Sequence, residues 1–313
     1  MKRILWLLAM PALAIAQIAP VQLTTPALGY VFDANARALR VLEGIPGAAV
    51  MGHEVTVGVA LDDIHVAPNR RYALGLVAGE ERFYLVKLNG ATGAAYRTEL
   101  VVGAFAFSPG GETVVVAGAE QAEVWTQVAE GAVRFAAMEL GSLAGRIDKL
   151  AVSDDGNAVL VLSSGGLWLL DSANEPKQLG EGYSDAAFSP MSHKVVAASR
   201  LESRIDLIEK AGEDGAWTSI ASRAQGILNP VAVALSADGR MIVALNEGAS
   251  LVAIDRESLQ AQQFSLEPVS AGGLWRSHGG AVFQLTRSAN QDVWIFDGDN
   301  PSPRVVMVHR REQ

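Results

Sequence analysis

The sequence predicts an all-β fold made of similar sheets repeated along the chain, and a recurring pair of apolar runs is the first observation behind it. In Ala104–Gly118 (AFAFSPGGETVVVAG), one run ends in a Ser-centred turn and a second run leaves it. Aligned on the turn residue, the copies are spaced by 41, 45, 36, 47 and 40 residues. The aligned residues are Ala67, Ser108, Ser153, Ser189, Ser236 and Arg276. A period of 40 to 45 residues is typical of one four-stranded β-propeller blade.

The turns between the paired runs are the second observation. Ser or Pro, then Asp or Gly, then Gly is turn composition between two β-rich runs. The glycine three residues after the aligned position can adopt a positive φ without a Cβ clash. It is Gly111, Gly156, Gly239 or Gly279 in four copies, whereas Arg70 and Ser192 occupy that place in the other two, which predicts turns of different conformation there.

A weaker apolar run, often ending in Asp, follows each unit and is the third observation. These runs are Tyr30–Asp33, Phe83–Leu88, Val124–Thr126, Leu167–Asp171, Arg204–Ile208, Leu251–Asp255 and Val293–Asp297. Each period therefore holds an inner and an outer hairpin, and few charges in the inner runs predict strands covered on both faces. Six inner and seven outer hairpins predict a single propeller of seven blades, with 36–47 residues per repeat. Residues 28–63 would form a divergent blade that closes the ring by pairing near the C-terminus. Six blades with an outlying N-terminal hairpin is the alternative.

The turns SPGG, SDDG and SADGR and the Trp-containing outer strands resemble bacterial β-propeller repeat proteins of the WD40-like and YVTN types. The resemblance extends over about residues 28–308. It implies a ring of blades in which ligands bind at one end of the central channel, on loops from several blades.

The N-terminus predicts export to the periplasm or the medium. Lys2 and Arg3 precede an apolar segment, and Ala14–Ala16 has the small-x-small pattern of a signal peptidase site before Gln17. The expected organisation is a signal peptide over 1–16, a linker over 17–28, the propeller over 29–308 and a C-terminal tail over 309–313. An uncleaved N-terminal anchor is the alternative, although the apolar run is shorter than a spanning helix requires. No later stretch predicts a membrane span.

Charge and cysteine content exclude several classes of function. The whole chain has a net charge of −9 from 25 basic and 34 acidic residues, and removal of Lys2 and Arg3 leaves −11. Such an acidic protein is a poor partner for nucleic acid or an anionic membrane. The absence of cysteine excludes disulfides, thiol nucleophiles and thiolate metal sites.

No motif predicts a cofactor, a metal or a catalytic residue. Leu88–Arg97 (LNGATGAAYR) resembles a turn of quinoprotein propellers, but it occurs once and is an ordinary hairpin turn in composition. Asp154–Gly156 and Asp297–Asn300 carry oxygen ligands suited to calcium, yet neither has the EF-hand spacing, so solvated turns are expected. Nucleophile-elbow, HExxH, Walker and dinucleotide patterns are absent.

His65 and Trp217 are the two candidate contact residues. His65 lies in a predicted inner strand, which would face the channel, whereas the other histidines lie in separate blades or in the tail. Trp217 follows a polar Gly-Glu-Asp-Gly stretch in a predicted outer loop and is the aromatic expected to be exposed. The remaining tryptophans of the repeats are expected in the core between blades, namely Trp125, Trp168, Trp275 and Trp294.

Two functional classes follow from these observations. The favoured one is an exported, non-catalytic propeller that binds a protein, a small molecule or a glycan, with no cofactor. The alternative is a propeller enzyme, similar to lactonases or glycan hydrolases, with its site at the channel mouth. A TolB-like envelope component is a third comparison, weakened by the lack of a separate domain before the repeats.

Overall fold

The computed structural model describes residues 26–308, except 34, 56, 58, 78, 89–93, 142, 144–145, 172–173, 210, 212–216, 268, 270, 278 and 287–291. Seven antiparallel sheets are arranged in a ring, which confirms the all-β, seven-bladed propeller. Blades 2 to 7 have four strands each, and blade 1 has three within the described residues. The predicted signal peptide, most of the linker and the tail lie outside the described residues.

In every blade the strands follow one another from the channel outward. Blade 1 contains β1 (Ala27–Asp33), β2 (Ala38–Glu43) and β3 (Val50–Val55). Blades 2 and 3 contain β4 (Asp63–Val66), β5 (Tyr72–Leu76), β6 (Arg82–Lys87), β7 (Ala94–Arg97), β8 (Ala104–Phe107), β9 (Val114–Ala117), β10 (Gln121–Thr126) and β11 (Val133–Glu139). Blades 4 and 5 contain β12 (Ile147–Val152), β13 (Ala158–Ser163), β14 (Gly166–Asp171), β15 (Asn174–Gly180), β16 (Tyr183–Phe188), β17 (Val195–Ser199), β18 (Arg204–Ile208) and β19 (Thr218–Ala221).

The last two blades complete the ring, and helix is minimal. Blades 6 and 7 contain β20 (Pro230–Leu235), β21 (Met241–Asn246), β22 (Ser250–Asp255), β23 (Ala261–Ser265), β24 (Trp275–Arg276), β25 (Val282–Gln284), β26 (Val293–Asp297) and β27 (Arg304–Val308). A short helix α1 (Val128–Gly131) and a 3-10 turn (Arg223–Gln225) are the helical elements of the described ranges. Neither is long and apolar enough to cross a membrane.

The second strand of each complete blade carries the core because both of its faces are covered. In β9, Val114 and Val116 pack toward blade 2, whereas Val115 and Ala117 pack toward blade 4. Every residue of β5, β9, β13 and β17 is buried. This explains why the inner runs lack the polar–apolar alternation of a half-exposed sheet.

The inner turns share one hydrogen bond, and it corrects the alignment of the last copy. The N–H of Ser108 donates to the Thr113 carbonyl at 2.9 Å, and the same five-residue bond recurs at Ser153, Ser189 and Ser236. In blade 7 the bond starts from Ser277 and not from Arg276, which ends strand β24. The single-residue shift places the Arg276 side chain on the other side of the strand from that expected of a turn anchor.

Backbone conformation corrects the prediction for one of the two turns that lack the glycine and agrees with it for the other. Gly111, Gly156 and Gly239 have φ of +76°, +77° and +69°, as their position predicts. Arg70 adopts the same left-handed conformation at +55°, so its turn is not different. The turn after Ser189 does differ, because the left-handed residue there is Met191, at +51°.

Blade 1 closes the ring, but in a way that differs from the prediction. The Ser277 hydroxyl of blade 7 donates to the Leu28 carbonyl at 2.8 Å, and Arg70 of blade 2 donates to the Ala27 carbonyl at 2.7 Å. Because β1 begins beside the inner turns of both neighbours, it occupies the place of a second strand. Gly29–Glu43 is therefore not an outer hairpin.

Closure depends on side-chain packing. Leu28 and Leu42 pack against Val308 and other residues of blade 7 on one side of blade 1, and Leu39 packs against blade 2 on the other. Within the described residues, the strands of blade 1 pair only with each other. The expected pairing near the C-terminus is thus replaced by an apolar contact with it.

Candidate ligand-binding channel

Two neighbouring cavities meet at the inner strands of blades 2 and 7. The central channel has a volume of about 510 Å³ and is lined by the inner strands of blades 2 to 7. A second cavity of about 280 Å³ lies between blades 1, 2 and 7, beside β1. Four residues line both cavities, namely His65, Val66, Trp275 and Arg276. These four residues therefore form the junction between the two spaces.

His65 lies on inner strand β4, as predicted, and faces both cavities. Its Nε2 atom is 2.8 Å from Oδ2 of Asp63, and its ring meets the Phe105 ring edge-on at 4.7 Å. The side chain is 20% exposed. A carboxylate that holds one ring nitrogen fixes the orientation of the imidazole. Its role as a ligand contact remains a prediction.

A charged pair links three inner strands on another part of the channel wall. The Lys149 ammonium of blade 4 lies 3.1 Å from the Asp185 carboxylate of blade 5 and donates to the Val231 carbonyl of blade 6 at 3.0 Å. The Val233 N–H donates to the same carboxylate at 2.9 Å. Burial raises the pKa of Asp185, and the opposing effect of Lys149 is smaller. These residues were not singled out in the sequence because 36 residues separate the pair.

Arg276 extends across the channel. Its guanidinium donates to the Pro109 carbonyl in the inner turn of blade 3, on the opposite side of the ring. Burial lowers the pKa of Arg276, and the charge of Asp154 acts in the opposite direction. Within the described ranges, no carboxylate lies within 4.0 Å of this guanidinium to form a salt bridge. The sequence alignment places Arg276 in the turn, and this register does not predict its position on the channel.

Trp275 lies at the junction of the cavities and not in the core between blades. It is half-buried and lines both spaces, whereas Trp125 is buried and Trp168 and Trp294 pack against inter-blade clusters as expected. An indole on the wall offers a flat apolar surface.

Trp217 is far from this junction in the fold. It lies just before β19 in blade 5, is half-buried, and donates its indole N–H to the Leu179 carbonyl at 3.0 Å. Its ring is 5.3 Å from that of Tyr183. The structure thus does not bring His65 and Trp217 into one site, and Trp217 is less exposed than expected; a contact role for it remains a prediction.

The acidic turns considered for calcium hold backbone groups of neighbouring loops. The two carboxylate oxygens of Asp154 accept from Gly110 N at 2.5 Å and Met191 N at 2.8 Å, linking blades 3, 4 and 5. Asp299 accepts from Gly280 and Ala281, both at 2.8 Å. No three His, Asp or Glu side chains of the described residues are grouped to hold a metal ion. Half of the quinoprotein-like stretch Leu88–Arg97, residues 89–93, lies outside the described residues.

Comparisons with known proteins support the fold. No protein-family model matches the chain, and no curated protein sequence matches it. A crystal structure of a functionally unknown protein from Desulfotomaculum acetoxidans DSM 771 aligns with a TM-score of 0.60 and 11% identity, over 91% of this chain and 100% of that one. The Cps50 (Swd1) β-propeller domain of Myceliophteria thermophila aligns with a TM-score of 0.50 and 15% identity, over 66% of this chain and 71% of that one. At these identities the similarity shows the β-propeller fold alone.

Proposed function

We propose that this chain is an exported, non-catalytic binding propeller whose ligand occupies the junction of the channel and the cavity between blades 1, 2 and 7. The observation that supports this proposal is the shared lining by His65 of blade 2 and by Trp275 and Arg276 of blade 7. Together they offer an aromatic surface and polar groups around a concave space. That combination, at the volumes found here, suits a small molecule.

The hydrogen bonding of the charged groups favours binding over chemistry. The polar atoms of Lys149 and Asp185 are used on each other and on backbone groups of blade 6. Such mutual bonding orients the inner strands, which is a structural role for both groups. His65 is likewise held by Asp63.

One observation favours an enzyme as the second candidate function. The raised pKa of Asp185 is a property that general acids share. In a lactonase-like or glycan hydrolase-like propeller, Asp185 would donate a proton to a leaving oxygen in the channel.

The binding function is tested with the full-length chain and a library of small molecules. Ligand-observed NMR would identify binders, and Trp275→Ala should weaken them at least tenfold because the aromatic wall is removed. Phe135→Ala is the matched control, since Phe135 is 49% exposed on outer strand β11, away from both cavities. Binders that are equally tight to the Trp275→Ala and wild-type proteins would contradict the proposed site.

Turnover distinguishes the two candidate functions. A panel of lactones and aryl glycosides incubated with the wild-type protein should show no hydrolysis. Hydrolysis that disappears in Asp185→Asn would replace the binding function with the enzyme.

Export is proposed from the basic N-terminus, the apolar segment and the Ala14–Ala16 pattern. The N-terminal sequence of the mature protein should begin at Gln17. Recovery from the cytoplasm with residues 1–16 intact would contradict export.

A further inference from the structure

We propose that the ligand is a small organic carboxylate whose anionic group pairs with Arg276. The inference rests on the proposed function and adds the chemical class of the ligand. Its basis is a half-buried arginine that lines both cavities and has no salt-bridge partner among the described residues, together with a second arginine that lines the smaller cavity.

Arg276 has donor capacity left for a ligand. A guanidinium has five N–H donors in a planar fork, and the Pro109 carbonyl is the acceptor found for it within the described chain. A buried charge is costly unless it is paired and hydrogen-bonded. A carboxylate that enters the cavity would supply both the opposite charge and the acceptors, in the bidentate geometry that arginine favours.

The neighbouring carboxylate of Asp154 forms no salt bridge with Arg276. Asp154 influences the guanidinium through its charge, but its two oxygens already accept from the N–H groups of Gly110 and Met191. The dominant effect on the pKa of Arg276 is burial, which lowers it. The protein therefore holds a partly buried cation, without a salt-bridge partner among the described residues, on the lining of both cavities.

Arg70 adds a second positive charge to the smaller cavity. It donates to the Ala27 carbonyl at 2.7 Å, and within the described ranges no carboxylate forms a salt bridge with it. Asp62 and Asp63 also line this cavity, but at the start of β4. Asp63 precedes the turn residue Ala67 by four positions, about 13 Å along an extended strand. The cavity is thus basic at the inner-turn end and acidic at the other.

The walls between these ends indicate the chemical nature of the uncharged part of the ligand. Tyr30, Phe32 and Trp275 line the cavity with aromatic surface, and its volume of about 280 Å³ admits a molecule of roughly the size of a substituted aromatic ring. An apolar body beside an anionic group matches this arrangement. A carboxylate on an aromatic or alicyclic ring is the expected class.

The test uses the full-length chain and three probes that share one ring and differ in charge: phenylacetate, phenylacetamide and phenethylamine. Titration followed by NMR should give phenylacetate a Kd at least tenfold lower than that of the other two. Arg276→Gln should raise the Kd of phenylacetate at least tenfold and leave that of phenylacetamide unchanged. Arg276→Lys, which keeps the charge and loses the fork, should give an intermediate value. Arg146→Gln is the control, because Arg146 is 88% exposed and lines neither cavity.

Two results would overturn the inference: equal binding of the amide and the carboxylate, or unchanged binding of phenylacetate by Arg276→Gln. If neutral library compounds bind in a Trp275-dependent way while carboxylates do not, the binding function stands and the carboxylate class is wrong. If no compound binds the wild-type protein, both proposals fail. If Arg276→Gln does not fold, as judged by circular dichroism, the Arg276→Lys and Arg70→Gln proteins replace it. The same comparison is then made between the Kd of phenylacetate and that of phenylacetamide.

Discussion

Asp185 shows how a single side chain on the channel wall acquires properties that its sequence neighbours do not explain. Its carboxylate bonds to Lys149 and Val233, which belong to the two adjacent blades. Burial in the wall raises its pKa above the ordinary value of 3.8. Because burial outweighs the attraction of Lys149, ionised Asp185 is less stable in the folded protein than in the unfolded chain.

Asp185→Asn should therefore alter the pH dependence of stability in a defined direction. A carboxyl with a raised folded-state pKa contributes stability that is fully present below 3.8 and is lost as pH rises through the folded-state pKa. The free energy of unfolding of wild type minus that of Asp185→Asn should fall as pH rises from about 4, in urea titrations at successive pH values. Asp238→Asn is the control of opposite sign, since the Ser236 hydroxyl and then the Arg240 N–H lower the pKa of Asp238, and its stability is lost as pH falls. A flat difference for Asp185 would contradict the prediction.

Sequence could predict part of the site at this scale. The inner-strand position of His65 followed from the repeat. The positions of Trp275 and Arg276 did not, because the last copy lacks a serine at the aligned place and has one at the next residue, Ser277. The Lys149–Asp185 pair joins different blades and has no local pattern.

The inner turn is the element that makes each blade recognisable. In blade 4 the Ser153 hydroxyl donates to Asp155 at 2.6 Å and accepts from Ala158 N at 3.0 Å. The same pair of bonds recurs at Ser236 in blade 6. In these turns the serine hydroxyl accepts a hydrogen bond from a backbone N–H and donates one to the aspartate. These side-chain bonds account for the Ser-x-Asp-Gly pattern.

Substitutions at the left-handed position should have opposite effects in two blades. Gly111→Ala places a Cβ 2.9 Å from Asn69 N at a φ of +76°, and should lower the free energy of unfolding by about 1–2 kcal/mol. Met191 is left-handed at +51° and 92% exposed, so Met191→Gly relieves strain without loss of packing. The added freedom of the unfolded chain offsets part of that gain, and a change between 0 and about +1 kcal/mol is expected. Urea denaturation measures the free energy of unfolding of both variants. If Met191→Gly lost as much stability as Gly111→Ala, the backbone at Met191 would not be strained.

The hairpins themselves were predictable from the sequence, but their conformations were not all predictable. A glycine predicts a left-handed residue, but Arg70 adopts that conformation without being glycine. Tertiary contacts select it there, because its side chain reaches the Ala27 carbonyl of the neighbouring blade.

At the scale of the whole molecule, blade 1 is the element through which the ring is closed. Its residues join two separate core clusters, one shared with blade 7 and one with blade 2. The period predicted the number of blades correctly. It predicted that β1 belongs to an outer hairpin, because this strand ends in Asp33, as the outer runs do. In the structure, the contact of Leu28 with the inner turn of blade 7 shows that β1 is a second strand.

Leu42→Ala should weaken closure. Leu42 is fully buried between blades 1 and 7, and truncation should cost about 2–5 kcal/mol of unfolding free energy. Amide hydrogen exchange should rise in the strands of blades 1 and 7. Leu160→Ala is the control, because Leu160 is equally buried but packs between blades 4 and 5. The same distribution of exchange in both variants would show that closure is not local to blade 1.

The hydrogen bond from Arg276 to Pro109 has a consequence for the passage of solutes through the central channel. Because one side chain joins the inner turns of blades 7 and 3, it narrows the axis at that end of the channel. A solute that crosses from one face of the disc to the other would have to pass this side chain.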